Sequence, residues 1–215
     1  MSDFRIKTCV LGPVSTNCYL VYNDTTKEAV AVDPGDNGDY ILNKCSELGI
    51  KLQAVLLTHG HFDHIGAALQ IARAFTIPIY ASETEDGMLA DTSLNLTAHF
   101  TGHSLSFHAD RLVHDGDELE LLGYKWKVIA TPGHTAGSVC YYLPEEEVLL
   151  SEILCSRIPM DGQIFRQEAA ERWWILYLGS CLYCREILWS IRAMESPLPL
   201  VMRRRTILLH AIDRK

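Results

Sequence analysis

Positive charge is in short supply in this 215-residue sequence: 19 Lys and Arg stand against 27 Asp and Glu, a formal net charge of −8. That balance argues against a basic face tracking nucleic-acid phosphates, and no basic stripe occurs before residue 151. An apolar run behind the first charges is also missing. Met1-Ser2-Asp3-Phe4-Arg5-Ile6-Lys7 leads into no core of signal-peptide length, so a cytoplasmic location is expected. The seven cysteines are an odd number without the spacing of a small disulfide scaffold. Cys9, Cys18, Cys45 and Cys140 fall in or beside expected strands and helices, and read as buried reduced thiols. The apolar stretch 173–191 contains Arg185 and Glu186 and has no positive-inside flanks, so no membrane partner is expected. What remains, 48% hydrophobic and 21% charged residues, is ordinary for a globular chain able to bury one sizeable core.

Apolar runs bounded by turn residues predict strands at about 4–10, 17–22, 28–32, 54–57, 77–80, 111–113, 118–122, 125–130, 138–143 and 147–150. Asn23-Asp24-Thr25-Thr26-Lys27 reads as a hairpin, and helical spacing appears around 38–48, 65–75 and 83–90. Strand counting alone leaves several α+β arrangements open.

The most informative segment is Thr58-His59-Gly60-His61-Phe62-Asp63-His64. It places three histidines and an aspartate in six positions, straight after the apolar run Ala54-Val55-Leu56-Leu57. Imidazole nitrogens and a carboxylate suit zinc, iron or manganese better than calcium or magnesium. A loop leaving a strand can fold several close-spaced side chains onto one point, which a helix cannot do for all four. The segment therefore reads as a metal site rather than a polar turn.

This segment resembles the T-H-x-H-x-D-H signature of the metallo-beta-lactamase superfamily. Asn17-Cys18-Tyr19-Leu20-Val21, Val32-Asp33-Pro34-Gly35 and Thr131-Pro132-Gly133-His134-Thr135-Ala136-Gly137-Ser138 resemble further family landmarks, in order, across residues 1 to about 151. The resemblance implies an α/β fold, the αββα sandwich, with both histidine loops on one rim. It implies that His59, His61 and His134 hold one metal and that Asp63 and His64 contribute to a second. It also implies zinc as cofactor, two ions per chain, with iron or manganese as alternatives. Two such ions activate a hydroxide by lowering the pKa of water from about 16 toward 7. The expected reaction is ester, thioester or amide hydrolysis, with Asp63 as the catalytic residue that orients the water and passes its proton on. Asp33 is expected either to fix the tautomer of a ligating histidine or to cap a turn. Thr58 and Thr135 are expected to make loop hydrogen bonds. His99, His103, His108 and His114 lie in a polar connecting stretch and are not expected to be ligands, although the resemblance puts that stretch beside the substrate opening.

The resemblance stops at Ser151. The family continues S-G-D-T-L-F, with the aspartate bridging both metals, whereas this chain continues Glu152-Ile153-Leu154-Cys155. Composition shifts at the same point. Residues 1–151 carry 9 Lys and Arg against 20 Asp and Glu, and residues 152–215 carry 10 against 7. A second domain or a basic interaction tail has this signature too. Back-translating from Glu152 with one G restored, and choosing among synonymous codons, gives an open frame containing G-D-T-L-F, G-R-T-D-F-P, P-G-H-G and T-T-I-G-Y-E in family order. Little of this is free choice. Met194 is ATG and Glu195 begins GA, so the shifted codon is a forced glycine, and the codon before it allows only Tyr, His, Asn or Asp.

The sequence is therefore read as a metallo-beta-lactamase-like domain over 1–151 and an out-of-frame tail over 152–215. The Cys181-Leu182-Tyr183-Cys184 pair, the Arg203-Arg204-Arg205 run and the helical propensity of 168–194 are assigned to frame accident. The restored segments favour the hydroxyacylglutathione hydrolase (glyoxalase II)-like branch, with a small-molecule thioester or ester as substrate. A beta-lactamase, a persulfide dioxygenase and an RNA-processing nuclease are the alternatives within the fold, the last disfavoured by the acidic body. An impaired product with residual single-metal binding is the alternative outside it.

Overall fold

The computed structural model describes residues 3–151 and 163–166. The chain divides into two units, Met1–Ala170 and Glu171–Lys215, and all described residues belong to the first. The sequence features at 168–194, 181–184 and 203–205 lie outside the described residues.

Six strands form the first sheet in chain order: β1 (Phe4–Leu11), β2 (Thr16–Asn23), β3 (Glu28–Val32), β4 (Lys51–Leu56), β5 (Ile79–Ser82) and β6 (Arg111–Val113). The first three pair antiparallel, and β3 to β6 run parallel, connected through α1 (Gly38–Leu48), α2 (Phe62–Ile65), α3 (Ala68–Phe75), α4 (Glu83–Ala90) and α5 (Thr97–Phe100). The second sheet is antiparallel throughout. It comprises β7 (Glu118–Leu121), β8 (Tyr124–Ala130), β9 (Val139–Leu143), β10 (Val148–Ser151) and β11 (Gln163–Arg166), in that spatial order.

Side-chain alternation explains why the sheets stack. Along β2, Cys18 and Leu20 join a cluster with Ile41 and Cys45 of α1 and Ile71 of α3. Tyr19 and Val21 point the other way, to Trp126, Val128, Tyr141 and Leu150. One sheet thus buries both faces, as a strand set with near-continuous apolar residues must. Each large apolar side chain fully buried this way contributes about 1.5–3 kcal/mol. The mixed α/β fold with two stacked sheets agrees with the expected sandwich.

Local chemistry sets the element ends. The Asn23 side chain accepts from the Thr25 and Thr26 N–H groups and closes the β2–β3 hairpin. Asn37 caps α1, its side chain accepting from Tyr40 N, and Gly49 ends the helix at φ 67. Two expectations needed adjustment. The helix expected over 65–75 is split into α2 and α3, because the Ala67 N–H donates to Pro34 O at 2.8 Å. The strand expected to start at Ala54 begins at Lys51, whose N–H donates to Lys27 O. The four cysteines Cys9, Cys18, Cys45 and Cys140 are buried and free, as expected. No helix among the described residues is long and apolar enough to cross a membrane.

Candidate metal centre

Three loops leaving strands β3, β4 and β8 converge. Val32-Asp33-Pro34-Gly35 follows β3, Thr58 to His64 follow β4, and Thr131 to Ser138 connect β8 to β9. The first two pack backbone on backbone. A Cβ on Gly35 would lie 1.6 Å from Asp63 O, and one on Gly66 would lie 2.2 Å from Gly35 O, so glycine at both positions is what lets the loops meet. The third is docked by the Val139 N–H, which donates to Thr58 O at 2.9 Å.

This convergence brings His59, His61 and His134 together, with ligand-capable atoms of all three within 4.8 Å of one another. His59 is buried, and its Nε2 is buried with no hydrogen-bond partner among the described residues. An orphaned buried imidazole nitrogen is costly unless something coordinates it. The tautomer follows from the neighbours. Asp33 Oδ2 accepts the Thr58 hydroxyl at 2.6 Å, so Thr58 Oγ1 has lone pairs, not a proton, to offer His59 Nδ1 at 3.2 Å. Nδ1 therefore carries the hydrogen and Nε2 keeps its lone pair, the form a metal takes. His61 Nδ1 and His134 Nε2 lie 2.8 Å apart and share one hydrogen bond. The three residues therefore fit an ion such as zinc by donor type and position, and His59 also by its tautomer.

Electrostatics favour the neutral form at all three. Burial, then the charge of His64 and the neighbouring imidazoles, hold His59 well below its ordinary value. Burial and His134 bring His61 down to about 4. Burial and His64 lower His134, with Asp63 and Glu85 opposing. His64 is the reverse case. Burial alone would lower it, but Asp33 at 3.1 Å from Nδ1 and Asp63 at 3.3 Å from Nε2 outweigh that and raise it to about 10. Asp63 is pulled down to about 2, since the hydrogen bond and charge of His64, together with Thr16, overcome the effect of burial. Thr16 Oγ1 donates to Asp63 Oδ2 at 2.7 Å.

Asp63 and His64 thus lie side by side next to the three-histidine group, with His59 and His64 ring centroids 4.0 Å apart. Asp33 reaches across to the loop after β4, where its carboxylate meets a histidine as expected, and no bond of it caps its own turn among the described residues. It receives the Thr58 N–H at 2.8 Å, and it orients both Thr58 and His64. Thr135 pairs with Ser138 at 2.7 Å, within its own loop. His108 pairs with Asp86, and His114 with Glu83 and Asp117, all at the surface, while Thr101 to Asp110 form the connecting stretch holding His103. None of His99, His103, His108 and His114 joins the cluster.

Two contributors escaped the sequence reading. Thr16 sits in an apolar strand with nothing nearby to single it out. Glu85 lies in Ser82-Glu83-Thr84-Glu85-Asp86, which reads as an exposed, acidic helix start, yet it is 1% exposed. Its carboxylate accepts from Gly60 N and Gly137 N, both at 2.8 Å.

Comparison with known proteins gives a consistent picture. Over 142 residues the chain is 35% identical to the probable metallo-hydrolase YqgX of Bacillus subtilis, covering 66% of each chain. Over 134 residues it is 33% identical to the hydroxyacylglutathione hydrolase GloC of Haemophilus influenzae, covering 61% of this chain and 63% of that one. The chain thus spans less than two thirds of these relatives' own length. Among solved structures it matches the BLEG-1 B3 metallo-beta-lactamase with a TM-score of 0.63 and 39% identity, over 67% of this chain and 70% of that one. The model of the metallo-beta-lactamase superfamily matches residues 11–151, the stretch that contains all three converging loops, and the chain belongs to that superfamily.

Proposed function

We propose that the gene behind this chain belongs to a zinc-dependent thioester hydrolase of the hydroxyacylglutathione type, working in the cytoplasm on a small-molecule substrate, without nucleic acid or membrane partners. The observation that carries the metal-dependent part is the convergence of His59, His61 and His134, with a buried His59 Nε2 that has no hydrogen-bond partner among the described residues. An all-imidazole donor set is better suited to zinc than to magnesium or calcium, with iron or manganese as alternatives. The thioester part is supported by the hydroxyacylglutathione hydrolase among the relatives. The similarity to a B3 metallo-beta-lactamase favours a β-lactam as the second reading.

An ion held by the three imidazoles would lower the pKa of a water toward 7 and polarise the carbonyl under attack. The chain's own groups supply the rest. Thr58 and Asp33 hold His59 in the tautomer that presents Nε2. Asp63, at a pKa of about 2, is a permanent carboxylate at neutral pH. It accepts a hydrogen bond and orients a water, and a proton placed on it is passed on rather than kept. His64, held by Asp33, keeps Asp63 in place.

Residues 152–215 are proposed to be an out-of-frame translation. The bridging aspartate and last histidine of the second site are then missing. The chain as it stands keeps one three-histidine site and, for a second ion, only Asp63 and His64, and is impaired. Sequencing the gene across the codon for Ser151 tests the frame. Inserting one G before the codon for Glu152 tests the function, by assaying S-lactoylglutathione and a β-lactam before and after. Thioester turnover and two-metal binding are expected to appear together in the repaired protein. Equal turnover by the unrepaired chain would overturn the frame account, and turnover of only the β-lactam would replace the substrate.

A further inference from the structure

Glu85 is a buried carboxylate that belongs to none of the metal-site groups, and its two oxygens are divided between the two histidine loops. Oε2 receives the N–H of Gly60, which lies between His59 and His61. Oε1 receives the N–H of Gly137, three residues beyond His134. Both glycines pack closely against Glu85. A Cβ on Gly137 would sit 2.8 Å from Glu85 N, from Glu85 Oε1 and from Thr84 Cβ, and a Cβ on Gly60 would sit 3.3 Å from Glu85 Oε2 and 3.2 Å from Met88. Both loops lie flat against the first turns of α4, with the carboxylate wedged between two backbones. Glu85 is 1% exposed, and Gly60 and Gly137 have no other acceptor among the hydrogen bonds of the described residues.

We infer that Glu85 is the positioning residue that sets the spacing between the His59/His61 loop and the His134 loop, and so tunes the affinity of the three-histidine site without touching the ion. The inference rests on the proposed metal site. A carboxylate is required rather than any side chain of this size, because two N–H donors need two acceptor oxygens. An amide offers one oxygen and turns its NH2 toward the other donor. Supporting residues around metal ligands typically change affinity by about 10–100-fold.

The test uses the full chain, stripped with a chelator and titrated with Zn2+ alone against a competing chelator, then with Co2+ to record the visible spectrum. Wild type, Glu85→Gln, Gly137→Ala and the surface control Glu83→Gln are compared. Zn2+ affinity is expected to fall by about 10–100-fold in Glu85→Gln and in Gly137→Ala, with an altered Co2+ spectrum, and to stay unchanged in Glu83→Gln. Wild-type affinity and spectrum in Glu85→Gln would overturn the inference. If wild type itself binds no Zn2+, the metal reading has failed, and this inference fails with it. Hydrogen exchange on the metal-free wild type needs no variant to fold. Protected amides at Gly60 and Gly137 support the bridge, and exchange at the rate of an exposed loop overturns it.

Discussion

Replacing Asp33 with asparagine removes the charge beneath the site while keeping the side chain's size. Asp33 is fully buried, receives the Thr58 N–H at 2.8 Å and the Thr58 hydroxyl at 2.6 Å, and faces His64 Nδ1 at 3.1 Å. An amide cannot accept from all three, so at least one donor faces an NH2. Breaking one partner of a buried ion pair costs about 3–5 kcal/mol. The protonation equilibrium gives a compatible net figure: holding His64 at about 10 instead of 6.5 corresponds to ~5 kcal/mol, left over after Asp33 and Asp63 together have overcome the opposing effect of burial. A loss of about 3 kcal/mol near neutral pH is therefore expected in the chelator-treated protein. The pH dependence carries a definite sign. Because the folded pKa of His64 is raised, its contribution is complete below the unfolded value of 6.5 and is lost as pH climbs through about 10. Wild type should weaken across that window, and the variant, which loses Asp33 but keeps Asp63 beside His64, should weaken less. Urea unfolding at the two ends of the window measures both. A loss under about 1 kcal/mol at the lower end, or a wild-type pH slope in the variant, would refute the reasoning.

Elemental analysis of the chain as given should find one firmly held ion and a weakly held second, and two tight ions would contradict the proposed loss of ligands. Because the folded pKa of His61 is depressed to about 4 and those of His59 and His134 are lowered, the neutral ligating forms persist below the ordinary histidine value of 6.5. Zn2+ affinity should therefore hold as pH falls through the ordinary histidine value and have lost the His61 ligand by about pH 4, whereas a fall beginning at the ordinary histidine value would count against the electrostatic account. In the frame-restored protein, His59→Ala or Asp63→Ala should abolish thioester turnover, and unaltered turnover in either would remove that residue from the mechanism. Gly35→Ala forces a Cβ to within 1.6 Å of Asp63 O, and should cost at least about 2 kcal/mol by thermal unfolding together with weaker Zn2+ binding.

Much of this molecule is written in local pattern. The unbroken apolar run of β2, the period-2 alternation of β8 and the capped apolar spacing of α1 are properties of short windows, so these elements were legible to within a few residues. The Thr58–His64 cluster was legible for a similar reason, since so many ligand-type side chains at the end of an apolar run have few other uses. The change of frame proposed for the tail rests on the sequence alone, because codon constraints leave no mark on a folded backbone. What the tertiary structure decided is whatever depends on two distant segments meeting. The split of the helix expected over 65–75 follows from Ala67 donating to Pro34 O. Thr16 reaches Asp63 across 47 residues of chain. Asp33 is both turn residue and anchor because β3 and β4 are parallel neighbours, which delivers Thr58 and His64 to its carboxylate. Glu85, on an acidic helix start that local chemistry reads as solvent-facing, is buried because the loops after β4 and β8 close over it and supply the two N–H groups that make burial tolerable.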